Sequence, residues 1–155
     1  MEEDNINPGI GAPGVHVYSA NGMYDPNITG VGHQPMGFDQ FIGVLYDHYC
    51  VVGAKIKATL YPSSDTVSTT AGNFGVTLQN TATPITNLEQ VLETGYNTHK
   101  AVGGYTSSRP ITVVYRCAPY KFLGIPHPMS GDEAKGNSSA NPSQQAYFHV
   151  FYAPV

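Results

Sequence analysis

Charge is scarce in this sequence. Asp, Glu, Lys and Arg make up 12% of its 155 residues, about half of the ~25% usual in a globular domain. Seven Lys and Arg face eleven Asp and Glu, for a net charge of −4. No basic run exists, so bulk electrostatics gives the chain no general hold on nucleic acid. Trp is absent, and the only thiols are Cys50 and Cys117. Each lies in an apolar, strand-like run and reads as a small packed side chain; two make no disulfide framework. No stretch reaches the ~18 apolar residues of a membrane span. The acidic start "MEEDNINPGIG" lacks the apolar core of a signal peptide.

Ser, Thr, Asn, Gln and eleven Tyr take the place of the missing charge. Such neutral polar surfaces suit packing against neighbours. Seventeen Gly and twelve Pro interrupt the chain too often for long helices. The length is one domain's worth. The expectation is a single all-β domain over residues 1–155.

The hydrophobic spacing refines this. "VHVYSA" (15–20) alternates weakly and stops at Asn21-Gly22, a turn dipeptide. In "FDQFIGVLYDHY", Phe38, Phe41, Ile42, Leu45, Tyr46 and Tyr49 recur at helical spacing and predict one face of an α-helix. The period then changes to two. Val52, Ala54, Ile56, Ala58 and Leu60 share one face of a predicted strand, and Lys55, Lys57 and Thr59 the other. A second strand turns Phe74, Val76 and Leu78 inward. A third sets Ile111, Val113, Tyr115 and Cys117 opposite Arg116, and "QAYFHVFYAPV" is a fourth. Between them, Thr86 and Glu89 form a capping-box pattern before a short helix that Gly95 stops. The strands so far are few for a sandwich: either weak ones hide in "THKAVGGYTSS" and the loops, or the sequence is part of a domain; long polar loops are expected at Ser63–Asn73 and Gly124–Gln145.

Candidate chemistry is thin. His33, between Gly32 and Gln34-Pro35, precedes Asp39, Asp47 and His48. These residues read either as ligands of a catalytic metal or as a corner orienting a helix against a sheet. Three ligands on rigid elements are needed for a hydrolytic zinc, whereas the six His are scattered with no short His–His spacing. The corner reading is favoured. In it His33 holds loop carbonyls, Asp25 caps a turn before Pro26, and Asp39 sits at the positive end of the helix. Nucleophile-elbow and phosphate-loop motifs are missing, and no catalytic residue, metal or cofactor is assigned. Lys55, Lys57 and Arg116 project from strand faces: either solvated charges that blunt an edge, or an inner surface that meets phosphate. The Tyr residues could stack bases or sugars, but core and interface packing suits most of them.

Tyr24-Asp25-Pro26, Gly32-His33-Gln34-Pro35, Phe38-Asp39-Gln40, then Tyr46, Tyr49, Val51, Gly53 and Lys55-Ile56 occur in an order and spacing that resembles the capsid proteins of small circular single-stranded DNA viruses, the circovirus-like CRESS-DNA group. The resemblance implies a jelly-roll β-sandwich with one or two short helices in its connections. It implies a homo-oligomer, a sixty-subunit T=1 icosahedral shell, around non-specifically packaged single-stranded DNA. It also implies a host receptor, no membrane, and residence in the virion and, during assembly, the host nucleus. Members of the group carry an arginine-rich N-terminal arm and flanking strands that are not evident here, so the expected shell domain is incomplete at both ends. Two other classes compete: a carbohydrate-binding β-sandwich with exposed Tyr as its platform, and a metal-dependent hydrolase on a β scaffold.

Overall fold

Alternation builds the sheets. A computed structural model describes residues 4–9, 12–30, 34–61, 71–103 and 109–154. Its elements are β1 (Gly14–Ser19), α1 (Phe38–Phe41), β2 (Tyr49–Cys50), β3 (Ala54–Leu60), β4 (Gly72–Gln79), α2 (Leu88–Glu93), β5 (Asn97–Val102), β6 (Ile111–Cys117), α3 (Pro119–Phe122), β7 (Lys135–Gly136) and β8 (Tyr147–Pro154). The chain is all-β, with helices of only one or two turns. None of these, among the described residues, is long and apolar enough to cross a membrane.

A four-stranded sheet runs β1-β8-β4-β5, and β3–β6 and β2–β7 form two-stranded ribbons. Among the described residues these strands all pair antiparallel. The pairs are nested along the chain: β1 with β8, β3 with β6, and β4 with β5 innermost. The chain is thus an antiparallel ribbon doubled back on itself and rolled until β4 lies beside β8.

Rolling brings apolar faces together. Phe74, Val76 and Leu78 of β4, Phe148 and Val150 of β8, Val102 of β5 and Val113 of β6 form one buried cluster. Ile56, Leu60 and Tyr115 of the β3–β6 ribbon pack against it. Each large side chain so buried contributes roughly 1.5–3 kcal/mol. Strand β8 is covered on both sides, since His149 and Phe151 are also fully buried. Its nearly unbroken apolar run follows from that. Gly75 is required where β4 passes this face, because a Cβ there would press on Thr98 O, His99 and the Phe151 ring.

The helix expected from Phe38 to Tyr49 is corrected. Only Phe38–Phe41 is helical; Ile42 is already extended, and Gly43 turns left-handed with φ 86°. Phe38, Ile42 and Tyr49 are buried together, but Phe41, Leu45 and Tyr46 are more than half exposed. Val52, expected inward, is 61% exposed because β3 begins only at Ala54. The cap of α2 is Asn87, whose side chain accepts from Gln90 N at 3.3 Å, one residue after Thr86. The weak strand is β5. The long Gly124–Gln145 segment carries β7, which pairs Gly136 with Tyr49. Most of the Ser63–Asn73 loop lies outside the described residues.

Candidate nucleic-acid interface

The register of the β3–β6 ribbon assembles one cationic row. Ala54, Ile56 and Ala58 turn toward the core with their partners Cys117, Tyr115 and Val113. The opposite face therefore carries Lys55 beside Arg116, Lys57 beside Val114, and Thr59 beside Thr112. The two Thr hydroxyls are hydrogen-bonded at 2.9 Å, which ties the ribbon at its far end. Lys55, Lys57 and Arg116 are exposed. Like charges directly opposite in a sheet repel, and neither strand contains an acidic residue. Among the described residues the ion pairs are His16–Asp4 and Lys135–Asp132, so nothing described neutralises the row. Chemically this is a small anion-facing surface on a rigid scaffold.

The corner is held by residues that local sequence does not reveal. The Asn141 carboxamide accepts from the backbone N–H groups of Tyr24 and Asp25 at 3.1 Å each and donates to Asp25 O at 2.9 Å. The Tyr49 hydroxyl accepts from Met23 N at 2.9 Å. Burial raises the pKa of that phenol, and the Met23 and Tyr24 hydrogen bonds partly oppose the rise. Asp25 enters through its backbone; its Oδ1 is buried without a hydrogen-bond partner among the described residues. Asp39 is exposed in the first turn of α1. His33 lies outside the described residues.

The other histidines are dispersed. His16 Nε2 meets Asn27 Oδ1 at 2.8 Å, with the Asp4 carboxylate 3.6 Å away. His127 Nδ1 accepts from Met129 N at 3.2 Å, and His149 Nε2 contacts Thr81 O at 2.8 Å. His48 is exposed. No three His, Cys, Asp or Glu side chains converge among the described residues. Both cysteines are unbridged and partly buried. Burial raises both thiols, Cys117 to about 11, so neither is a thiolate nucleophile at neutral pH.

A second surface is not foreseen by the helical spacing, which puts Phe41, Leu45 and Tyr46 on a packed helix face. The segment from Met36 to Tyr46 exposes Met36, Phe41, Val44, Leu45 and Tyr46, each by more than half. Comparison of the chain with family models, curated proteins and solved structures gives no match.

Proposed function

We propose that the chain is a self-assembling shell subunit, a jelly-roll capsid protein of the circovirus-like type that encloses single-stranded DNA. The observation that carries this reading is the row of Lys55, Arg116 and Lys57, which no acidic side chain among the described residues neutralises, on a chain otherwise poor in positive charge. Three cations per subunit hold nucleic acid weakly. Many copies lining one cavity hold it well, without reading its sequence. The nested strand pairing supports the jelly roll, since that fold is an antiparallel ribbon wound into two sheets. The Met36–Tyr46 segment supports assembly, because exposed apolar side chains grouped on one short segment mark contact surfaces. The resemblance spanning Tyr24 to Ile56 points the same way. In this reading the corner is structural and the protein is not an enzyme.

Imaging tests the reading. The protein with an N-terminal basic arm added should give uniform closed particles by negative stain, and their nucleic acid content should fall with Lys55→Gln/Lys57→Gln while the particles still close. A chain that stays monomeric at high concentration would exclude the shell.

A further inference from the structure

A shallow cleft of about 450 Å³ opens where the end of β4, helix α3 and the segment entering β8 meet. Asn80, Phe122, Leu123, Gln144, Gln145 and Tyr147 line it. We infer that this cleft binds a neutral saccharide, a site separate from the cationic row and independent of shell formation.

The lining chemistry narrows the ligand class. Among the described residues no charged side chain lines the cleft, which leaves none of them to pair with phosphate, sulfate or carboxylate groups. Its polar members are amides and the hydroxyls of Ser143 and Tyr147. Each amide offers donors and acceptors together, which matches a sugar hydroxyl that also does both. The aromatic rings of Phe122 and Tyr147 and the Leu123 side chain supply apolar surface for the C–H face of a sugar ring. The cleft is open and its lining more polar than apolar, which suits a hydrophilic ligand held at the surface rather than an enclosed apolar one.

The polar groups are also uncommitted and their backbone is held. The side chains of Asn80 and Gln144 and the Tyr147 hydroxyl have no hydrogen-bond partner among the described residues, and Gln145 only accepts, from Ser19 Oγ at 3.1 Å. Behind them the main chain is fixed. Gln144 N donates to Glu133 O at 3.0 Å. Asn21 clamps the segment from both ends, donating to Gln144 O at 2.9 Å and accepting from Ala146 N at 3.0 Å. Tyr147 is locked in β8 between Ser19 and Gln79. A rigid backbone with free side-chain amides lowers the ordering cost of binding. In so open a cleft the expected affinity is weak, on the order of millimolar, and display of many copies would multiply it.

Saturation-transfer NMR on the full chain reads affinities in that range. The probes are lactose, maltose and diacetylchitobiose, with sialyllactose and a heparin disaccharide as charged counterparts. At least one neutral probe should give a signal. Asn80→Ala/Gln144→Ala, which removes two exposed and uncommitted amides, should weaken it by about tenfold or more without changing the circular dichroism. Lys55→Gln/Lys57→Gln should leave it intact. The inference is overturned if no neutral probe binds at about 10 mM. An Asn80/Gln144 variant that binds as the parent does also overturns it, as does binding confined to charged probes and lost with the lysines. None of these results bears on whether shells close.

Discussion

Lys55 and Arg116 stand directly opposite one another on the outer face of the β3–β6 ribbon, two like charges that the fold itself holds together. A sheet with no use for this arrangement would lose nothing by neutralising one member. Arg116→Glu should therefore stabilise the domain slightly, by roughly 0.2–1 kcal/mol, through an opposite-charge cross-strand pair. The same change should remove nucleic acid from assembled particles. Urea melts and the absorbance ratio of purified particles measure the two effects. A destabilised variant that still packages would sink the anion-facing reading.

The salt dependence of binding carries its own number. Each phosphate neutralised on a single strand contributes ~0.7 to the slope of log affinity against log salt. Three contacts from Lys55, Lys57 and Arg116 give about −2 per subunit. Isolated subunits should show no measurable binding at physiological salt and should bind weakly, without sequence preference, only at low salt. Tight binding of one sequence that ignores salt would replace the container with a specific reader.

His149 sets a pH dependence. It is fully buried, its Nε2–H donates to Thr81 O at 2.8 Å, and its Nδ1 is buried with no partner among the described residues. Burial lowers its pKa, and the Thr81 hydrogen bond offsets this only in part. The unfolded chain, with a histidine near 6.5, then binds the proton more readily than the folded one. This contribution to stability is complete above about pH 6.5 and is lost as pH falls through the lowered folded value. The effect is bounded by ~1.4 kcal/mol for each pH unit by which the two pKa values differ. Denaturant melts between pH 7.5 and 5 should show falling stability, and His149→Gln should flatten that slope. An unchanged slope would place the acid sensitivity elsewhere.

Asn141 is the keystone of the corner. Asn141→Ala leaves the Asp25 N–H and carbonyl without their partner and Tyr24 N–H with only its 3.3 Å bond to the Tyr49 hydroxyl, and should cost roughly 1–3 kcal/mol. Asn141→Asp keeps an acceptor for the N–H groups but sets a carboxylate oxygen, an acceptor only, against Asp25 O in place of the donor, so it too should fall below the parent. The two losses, read from chemical denaturation, separate a hydrogen-bonded hub from a loop residue of no consequence.

How far the sequence discloses this structure depends on the range of each interaction. Phe74, Val76 and Leu78, and Val113 with Arg116, are legible because a strand writes its two faces as a period of two. The cationic row is legible for the same reason, but not the register that sets Lys55 against Arg116; pairing is a property of two distant strands. Strand β5 is faint because it lies at the sheet edge and spends His99, Lys100 and Ala101 on exposed positions. Asn141 is invisible, being 116 residues from Asp25 inside a Ser/Asn/Pro segment. The segment after Phe38 misleads: its 3.6-residue spacing imitates a helix face, but half of that face has no sheet to pack on among the described residues, and Gly43 turns the chain away.

That mismatch makes the last prediction. Phe41, Leu45 and Tyr46 are 54, 65 and 62% exposed, and Phe41 O accepts from both Leu45 N at 3.2 Å and Tyr46 N at 2.9 Å. The turn thus holds its apolar side chains outward by backbone bonds that any residue would make. If the fold needed those side chains, replacing them would lower stability. If a neighbouring subunit covers them, replacement should cost assembly alone. Leu45→Asp and Phe41→Asp should each leave the melting midpoint within about 0.5 kcal/mol of the parent, as surface changes usually do, while removing the particle peak in light-scattering chromatography. An aspartate at the centre of an apolar contact would be desolvated without a partner, which is expensive enough to block closure. Leu45→Ala should only slow it. Particles that form normally with both aspartates would show that the segment is not a contact. A variant that unfolds would show that it packs within its own subunit, and either result removes the Met36–Tyr46 surface from the proposed shell.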